Sequence, residues 1–221
     1  MQRVRITFSR GEEIKYISHL DIMRMWERIF RRAGLPLAYT RGFNPHPRLS
    51  LAAPLPVGTL ASAELLEVYL EHTLPLDQLQ KEVERQLPPG VRISRVEEVE
   101  ASAPPLASTV RAAEYEVAVT TRWSRRDMEE RIDRLLCTSK LLRERRRPRG
   151  ASDARGRAEE IRRYDLRPLI EDVWIDRWNS EQVLGMRLKA DSHGTGRPED
   201  VLDELHLPPE LAEITRTKLI F

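Results

Sequence analysis

Residues 16–50 read YISHLDIMRMWERIFRRAGLPLAYTRGFNPHPRLS, and this stretch contains the start and the end of a helix followed by a stiff turn. Ser18, with Asp21 three residues later, is typical of a helix N-terminus, because such side chains hydrogen-bond to the free backbone N–H groups there. Gly34 is predicted to end the helix, since glycine accepts the left-handed backbone that often follows a helix. Residues 44–47 contain two prolines and are predicted to be extended or turned.

On both sides of this stretch, alternation of polar and apolar residues predicts strands. The elements predicted for the first half are strands at 2–9, 37–43, 49–55, 63–71 and 91–100, and helices at 18–33 and 75–87. If two of the three strand candidates between 37 and 71 are counted, their order is strand, helix, two strands, helix, strand, which is typical of the ferredoxin-like or split βαβ fold.

The segment 101–113 is rich in Ala, Ser and Pro and is predicted to separate two domains, 1–103 and 104–221. The second domain repeats the plan more loosely, with strands predicted at 114–121, 161–170, 173–178, 183–189 and 213–220, and helices at 124–142 and 198–205. The predicted fold class is α+β, with two tandem ferredoxin-like units and antiparallel sheets. An Arg/Pro/Gly segment, 143–157, is predicted to be a mobile insertion in the second unit.

The formal net charge of the 221-residue chain is only +2, but the charges are unevenly distributed. Residues 1–48 hold ten Lys/Arg against four Asp/Glu, hence +6, and residues 49–103 hold four against nine, hence −5. Residues 143–157 hold seven Arg against two acids, hence +5. Two separate basic zones on a nearly neutral chain indicate local anion binding.

Cysteine and apolar content exclude several classes of protein. Cys137 is the single cysteine of the chain, so neither an internal disulfide nor a cysteine-held iron–sulfur cluster can form. It is predicted to be a small core residue. No apolar run approaches about 18 residues, so no membrane span is expected, and the cytoplasm is the predicted location. No cofactor is predicted for this chain.

Two histidines are the candidate catalytic groups. His19 is predicted on the first turn of the helix, where free backbone N–H groups favour an anion and a neutral imidazole. His46 lies in the proline-rich turn with Asn44, Arg41 and Arg48, and could face the same end of the sheet. The alternative is that both are structural residues. The spacing matches no helical two-histidine motif, so no metal site is predicted.

The arginines suggest contact with RNA. The helix face formed by Arg24, Arg28 and Arg31 could follow a phosphate backbone, although a solvated helix face is the alternative. The basic segment 143–157 could order on RNA or on an acidic protein. The complete set of predicted ligand-binding or RNA-binding residues is Ser18, His19, Asp21, Arg24, Arg28, Arg41, Asn44, His46, Arg48, Arg145, Arg146 and Arg147. Tyr39 and Phe43 are candidates for base stacking, whereas Trp26 and Phe30 are predicted in the core.

Several motifs together resemble one protein family. They are ISHLD (17–21), RAGLPLAYTRGFNPHPRLSLAAPLPVG (32–58), DLRPLI (165–170) and RP-ED-VL (197–202). The chain is similar to the uncharacterised domain that is fused to, or encoded beside, bacterial radical SAM proteins with a cobalamin-binding region. This resemblance implies a radical SAM protein as partner and a role related to RNA.

Three functions are compatible with these observations. The leading hypothesis is a non-catalytic RNA-binding or substrate-presenting accessory module for a radical SAM enzyme. The second is a metal-independent endoribonuclease in which His19 is the general base and His46 the acid. The third is a protein–protein adaptor that binds no nucleic acid.

Overall fold

Ten strands and five helices make up the described part of the chain, which in this computed structural model is residues 1–148, 159–191 and 194–221. The strands are β1 Gln2–Arg10, β2 Leu49–Leu51, β3 Leu60–Leu70, β4 Val91–Val99, β5 Ala112–Val119, β6 Leu142–Pro148, β7 Glu159–Asp165, β8 Ile170–Trp178, β9 Gln182–Lys189 and β10 Glu213–Ile220. The helices are α1 His19–Arg32, α2 Leu76–Glu84, α3 Leu106–Thr109, α4 Arg125–Cys137 and α5 Pro198–Glu204. The fold is mixed α+β with a mostly antiparallel sheet.

The main strands form one continuous sheet in the order β4-β1-β3-β10-β5-β9-β8, and β2 also pairs with β3. The expectation of separate sheets is therefore corrected. The two halves meet where β10 runs parallel to the beginning of β3, with Thr215 opposite Leu60 and Arg216 opposite Ala61. On this edge of β3, β2 pairs only with residues 66–68. β10 pairs with the beginning of the same edge, where the backbone N–H and C=O groups would otherwise have no neighbouring strand.

Helix α1 forms as the sequence predicts. The Ser18 side chain accepts a hydrogen bond from the Asp21 backbone N–H, and Gly34 follows the helix with a φ of 67°. Its inner face is fully buried at Trp26 and Phe30, which confirms that both are core residues. The Trp26 ring also meets Phe8 of β1 edge-on, with ring centroids 4.8 Å apart, so α1 packs directly on the sheet.

The predicted strand at 37–43 is wrong. This segment makes only isolated bridges, Leu37 to Leu70 and Tyr39 to Pro47. Its backbone turns back on itself: the Arg48 N–H donates to the Ala38 carbonyl (2.7 Å), and the Thr40 N–H donates to the His46 carbonyl (2.8 Å). The proline-rich turn thus pairs with the preceding residues, which leaves little of the segment for the sheet. We call residues 38–48 the finger, because they project from the edge of β3.

Helix α4 ends at Cys137, five residues before the predicted end, and Cys137 is exposed. The prediction that this cysteine is in the core is therefore wrong. The inner face of α4 consists of Met128, Ile132 and Leu135, and a residue two positions after Leu135 lies about 200° further around the helix. That rotation places Cys137 towards solvent.

The exposure of Cys137 gives a direct test. The thiol is expected to react with a disulfide reagent such as Ellman's reagent in the folded protein, at a rate within about tenfold of that of the same thiol in the unfolded chain. One thiol per chain should react without denaturant, and Cys137→Ser should remove the reaction. Reaction that begins only when the protein unfolds would contradict this placement.

The first part of the basic segment 143–157 lies in a strand. Its residues up to Pro148 belong to β6, which pairs with β7 in a separate two-stranded sheet, from Leu142 opposite Asp165 to Pro148 opposite Glu159. Residues 149–158 lie outside the described part of the chain, as do the side chains of Arg145, Arg146 and Arg147. The predicted strand at 161–170 is also divided, since β7 ends at Asp165 and β8 begins at Ile170.

Candidate functional site

The residues predicted at the start of α1 form a helix cap. The Ser18 hydroxyl donates to the Asp21 carboxylate (2.8 Å), and Arg24 donates to the other carboxylate oxygen (3.1 Å). The Ser18 bond, followed by the Arg24 bond, lowers the pKa of Asp21. The neighbouring His19 lines a cavity of about 10 Å³, which is at most the space of one water molecule. The cavity that His19 lines is therefore too small for a substrate.

The two candidate catalytic histidines are anchored to different parts of β3. His19 lines its small cavity together with Glu64, near the middle of the strand. His46 lies in the finger, whose base bonds to Tyr69 near the end of the strand, because the Tyr69 N–H donates to the Arg48 carbonyl (3.0 Å). Five residues separate Glu64 from Tyr69, which is about 16 Å at about 3.3 Å per residue. The spacing of these two anchors does not favour the acid–base pair of the endoribonuclease hypothesis.

The finger presents polar and aromatic groups to solvent. Arg41, Asn44 and His46 are exposed, and Phe43 is fully exposed at the tip. The base of the finger is held firmly, since the Arg48 guanidinium lies 4.1 Å above the Tyr69 ring centre. The His46 N–H also donates to the Thr40 hydroxyl (3.0 Å). The exposed tip is therefore carried on an ordered base.

The outer face of α1 is basic, as predicted. Arg24, Arg28, Arg31 and Arg32 are all exposed. Arg24 pairs with Asp21 and Arg31 approaches Glu27 at 3.9 Å, which are weak surface pairs. The last turn of α1 reaches the end of the sheet where the finger begins, because the chain after Gly34 passes directly to Leu37 opposite Leu70. We define the arginine–finger surface as Arg28, Arg31, Arg32, Arg41 and Phe43.

Two positive charges of the N-terminal basic zone are not available to a ligand. Arg3 is buried, and its guanidinium donates to Glu67. Arg10 is buried and donates to carbonyl oxygens of the segment before α1, including that of Lys15 at 2.8 Å. Burial is the main cause that lowers the pKa of Arg10. The charge of +6 counted from the sequence therefore overstates the basic surface of the first 48 residues.

A cleft of about 890 Å³ lies between the two halves of the chain, and no pattern in the sequence indicates it. Its lining comes from segments far apart in sequence: Ala52–Pro56 and Ala107, the strand residues Tyr115 and Arg216, residues 164–165 and 168–169, and residues 190–191 and 194–198. These segments meet only because β10 pairs with β3. Three of the motifs that carry the family resemblance, LAAPLP, DLRPLI and RP-ED-VL, contribute residues to this lining.

Arg216 holds one wall of the cleft in place. Its guanidinium donates to Glu64 Oε1 (2.8 Å), to the Ala53 carbonyl (3.0 Å) and to the Pro54 carbonyl (3.2 Å). Burial alone would lower the pKa of Arg216, but the negative charge of Glu64 raises it above its ordinary value. Burial raises the pKa of Tyr115, which also lies against Arg216. Arg216 is thus a structural residue whose charge is paired with Glu64 and whose hydrogen bonds hold the 53–54 backbone.

Several carboxylates lie in or behind the cleft. Asp165 accepts hydrogen bonds from the Leu141 N–H (2.8 Å) and the Arg167 N–H (3.1 Å). Asp191 accepts from the Gly194 N–H, and Asp200 accepts from the Tyr164 hydroxyl (2.7 Å). The Glu199 Oε2 atom is buried and has no hydrogen-bond partner within the described ranges.

Two absences apply to the described residues alone. They contain no group of three or more His, Cys, Asp or Glu that could hold a metal ion. None of their helices is long and apolar enough to cross a membrane.

Comparison with protein families matches residues 3–198 to the model of a family described as "Uncharacterized protein conserved in bacteria (DUF2344)". A search of curated proteins gives no significant match. Among solved structures, the chain is similar to one chain of the crystal structure of a Cbf5–Nop10–Gar1 complex, with a TM-score of 0.44 and 8% identity. The similarity covers 99% of this chain and 48% of that one, so this chain spans about half of its length. A similarity this distant does not indicate a function.

Proposed function

The chain belongs to the DUF2344 family of bacterial proteins, and on that premise we propose that it is a non-catalytic module that binds RNA through its arginine–finger surface. The proposal rests mainly on the full exposure of the Phe43 ring at the tip of the finger. Its neighbour Arg41 is exposed, and the basic end of α1 lies at the same end of the sheet. An exposed phenyl ring with cations beside it has the two groups that single-stranded RNA requires.

The two kinds of group serve different parts of the ligand. Arginine side chains neutralise phosphates irrespective of sequence, and aromatic rings stack on bases. Pro45 and Pro47 restrict the finger, so that little conformational entropy is lost when the Phe43 ring meets a base. Tyr39 at the base of the finger is also partly exposed and offers a second ring. Recognition of this kind favours unpaired RNA.

We expect substitutions in the arginine–finger surface to weaken binding in two distinguishable ways. The combined variant Arg28→Ala, Arg31→Ala, Arg32→Ala should lower the affinity for single-stranded RNA by at least about tenfold at about 0.1 M salt. It should also reduce the slope of log K against log salt by about 2. Phe43→Ala should cost about 1–3 kcal/mol of binding free energy and leave that slope unchanged. Fluorescence anisotropy of a labelled oligonucleotide of mixed sequence over a range of salt concentrations measures both quantities.

The matched control removes three exposed arginines elsewhere, Arg85→Ala, Arg125→Ala and Arg126→Ala, and changes the net charge equally. This control should retain most of the affinity. The proposal is wrong if the control variant loses as much affinity as the test variant, or if the unaltered protein does not bind RNA. Retention of a partner protein without RNA would instead favour the adaptor hypothesis.

We further propose that the module presents its RNA to a radical SAM enzyme. The support is the resemblance carried by ISHLD and GFNPHP, together with the single cysteine of this chain, which cannot supply a cysteine-held cluster. Co-expression of an affinity-tagged chain with the neighbouring radical SAM protein of the same genome should recover both. Equal recovery of an unrelated radical SAM protein would contradict a specific pairing.

The architecture of this module is proposed to be two tandem ferredoxin-like units, 1–103 and 104–221. The main-sheet strands of the two halves are arranged as β4-β1-β3-β2 and β10-β5-β9-β8, which supports this interpretation. Numbered along the chain within each half, the main-sheet strands lie in the same spatial order, 4-1-3-2. In each half, helices follow the first and third of these strands, as the split βαβ plan requires. In the second half, the β6–β7 hairpin is inserted before the second of these strands.

A further inference from the structure

The cleft between the two halves is separate from the arginine–finger surface, and its size is that of a ligand-binding site. Its volume of about 890 Å³ falls within the usual range for small-molecule pockets. Much of the lining is apolar: Ala52, Ala53, Pro54, Leu55, Pro168 and Leu169. Such walls accommodate hydrocarbon and leave recognition to a few polar groups.

The charges that the described residues place around the cleft favour a cation. Arg216 is neutralised by Glu64, so its charge is not available to a ligand. Arg197 is exposed at the rim. Asp165 and Asp191 lie in the lining and accept hydrogen bonds from backbone N–H groups. A phosphate or carboxylate ligand would therefore enter against these two carboxylates.

A buried carboxylate oxygen, Glu199 Oε2, supports the same preference. Among the described residues this atom has no hydrogen-bond partner, and such an atom costs free energy until a donor or a positive charge approaches it. The residue before Glu199, Pro198, lines the cleft, and so does Tyr115, on which the Glu199 charge acts. Because the Oε2 atom is buried, the field of Glu199 is less screened than that of a surface carboxylate.

Two aromatic rings add to the same preference. Tyr115 and Tyr164 both line the cleft, and the face of a tyrosine ring attracts organic cations. The described residues offer no cluster of metal ligands there, while the apolar walls fit a carbon framework. We propose that the cleft binds an organic cation, a molecule that carries a primary amine or guanidinium group on an apolar chain.

The test uses agmatine as the probe, because it has both cationic groups on a butyl chain. Isothermal titration calorimetry of the full chain at about 0.15 M salt should show one site per chain with a dissociation constant below about 1 mM. Butylurea, which is neutral, and hexanoate, which is anionic, should bind at least about tenfold more weakly. Glu199→Gln should weaken agmatine binding by at least about fivefold.

A second variant keeps the test decisive if Glu199→Gln disturbs folding. Ala107 is exposed and lines the cleft, so Ala107→Trp should fill the cleft from its mouth and abolish binding. The control Glu84→Gln removes a carboxylate from α2 in the other half of the chain and should leave the affinity unchanged. Phe43→Ala should also leave it unchanged, which separates this site from the RNA surface. Equal binding of butylurea, no binding of agmatine at about 10 mM, or full affinity in Ala107→Trp would overturn the proposal.

Discussion

Arg216→Met is expected to lower the free energy of unfolding by about 3–5 kcal/mol. The reason is that Glu64, itself buried, would keep its charge and lose the guanidinium that bonds to both of its oxygens. The Ala53 and Pro54 carbonyls would also lose their donors. Urea unfolding followed by circular dichroism measures the change.

Two further variants assign the loss to the buried pair. The double variant Arg216→Met, Glu64→Leu should recover much of the stability, because an apolar pair of similar volume leaves no buried charge unpaired. Arg177→Met removes an arginine whose pairs with Glu116 and Asp176 lie at the surface, and should cost at most about 1 kcal/mol. A loss below about 1 kcal/mol for Arg216→Met would contradict the role assigned to this residue.

Glu67→Leu is expected to destabilise the protein by a similar amount, about 3–5 kcal/mol. Glu67 is buried and accepts from Arg3 (2.7 Å) through one oxygen and from Arg5 (2.8 Å) through the other. Arg3 would remain buried with its charge uncompensated. Thermal unfolding gives the change, and Glu97→Leu, which removes a partly exposed carboxylate 3.9 Å from Arg5, is the matched control.

This substitution should also loosen the connection between the two halves. Besides Glu67, the Arg3 guanidinium donates to the carbonyls of Ala103 and Pro104 (2.7 Å to Pro104). Limited proteolysis of Glu67→Leu is therefore expected to cut near residues 101–105 several times faster than in the unaltered protein. Unchanged cleavage together with unchanged stability would show that Arg3 does not hold this connection.

The sequence predicts the elements that local signals define. The cap at Ser18, the end of α1 at Gly34 and the burial of Trp26 are all confirmed, because each depends on residues within a few positions of one another. The strand at 37–43 failed because only its first residues pair with β3, at Leu37 opposite Leu70, whereas Tyr39 and Thr40 pair with the turn that follows. Burial of Cys137 failed because this residue, although it lies in α4, is turned about 200° away from the buried Leu135.

Counting charges along the sequence does not distinguish buried arginines from exposed ones. Arginine is mostly found at protein surfaces, so each was counted as available to a ligand. One signal was present in the sequence: Val4, Ile6, Phe8 and Arg10 alternate along β1, which places Arg10 on the inner side of the strand. For Arg216 there is no such local signal, because its partner Glu64 lies 152 residues away in sequence.

The cleft was missed for the same reason. It exists because two residue pairs join β3 and β10 in parallel, and these bring Ala53 close to residues of the second half. No periodicity in either half indicates which edges of two sheets will meet. The arginine–finger residues were foreseen individually, but only the structure places the exposed Phe43 at the same end of the sheet as Arg31 and Arg32.

The pairing of β3 with β10 also determines the order in which the cleft becomes complete during protein synthesis. The ribosome releases Glu64 and the 52–56 wall long before Arg216, so the Glu64 carboxylate emerges without the guanidinium that pairs with it. The wall can take its final position only after β10 has emerged and paired. At that earlier stage the residues of the finger and of α1 have already been synthesised, whereas the cleft is incomplete.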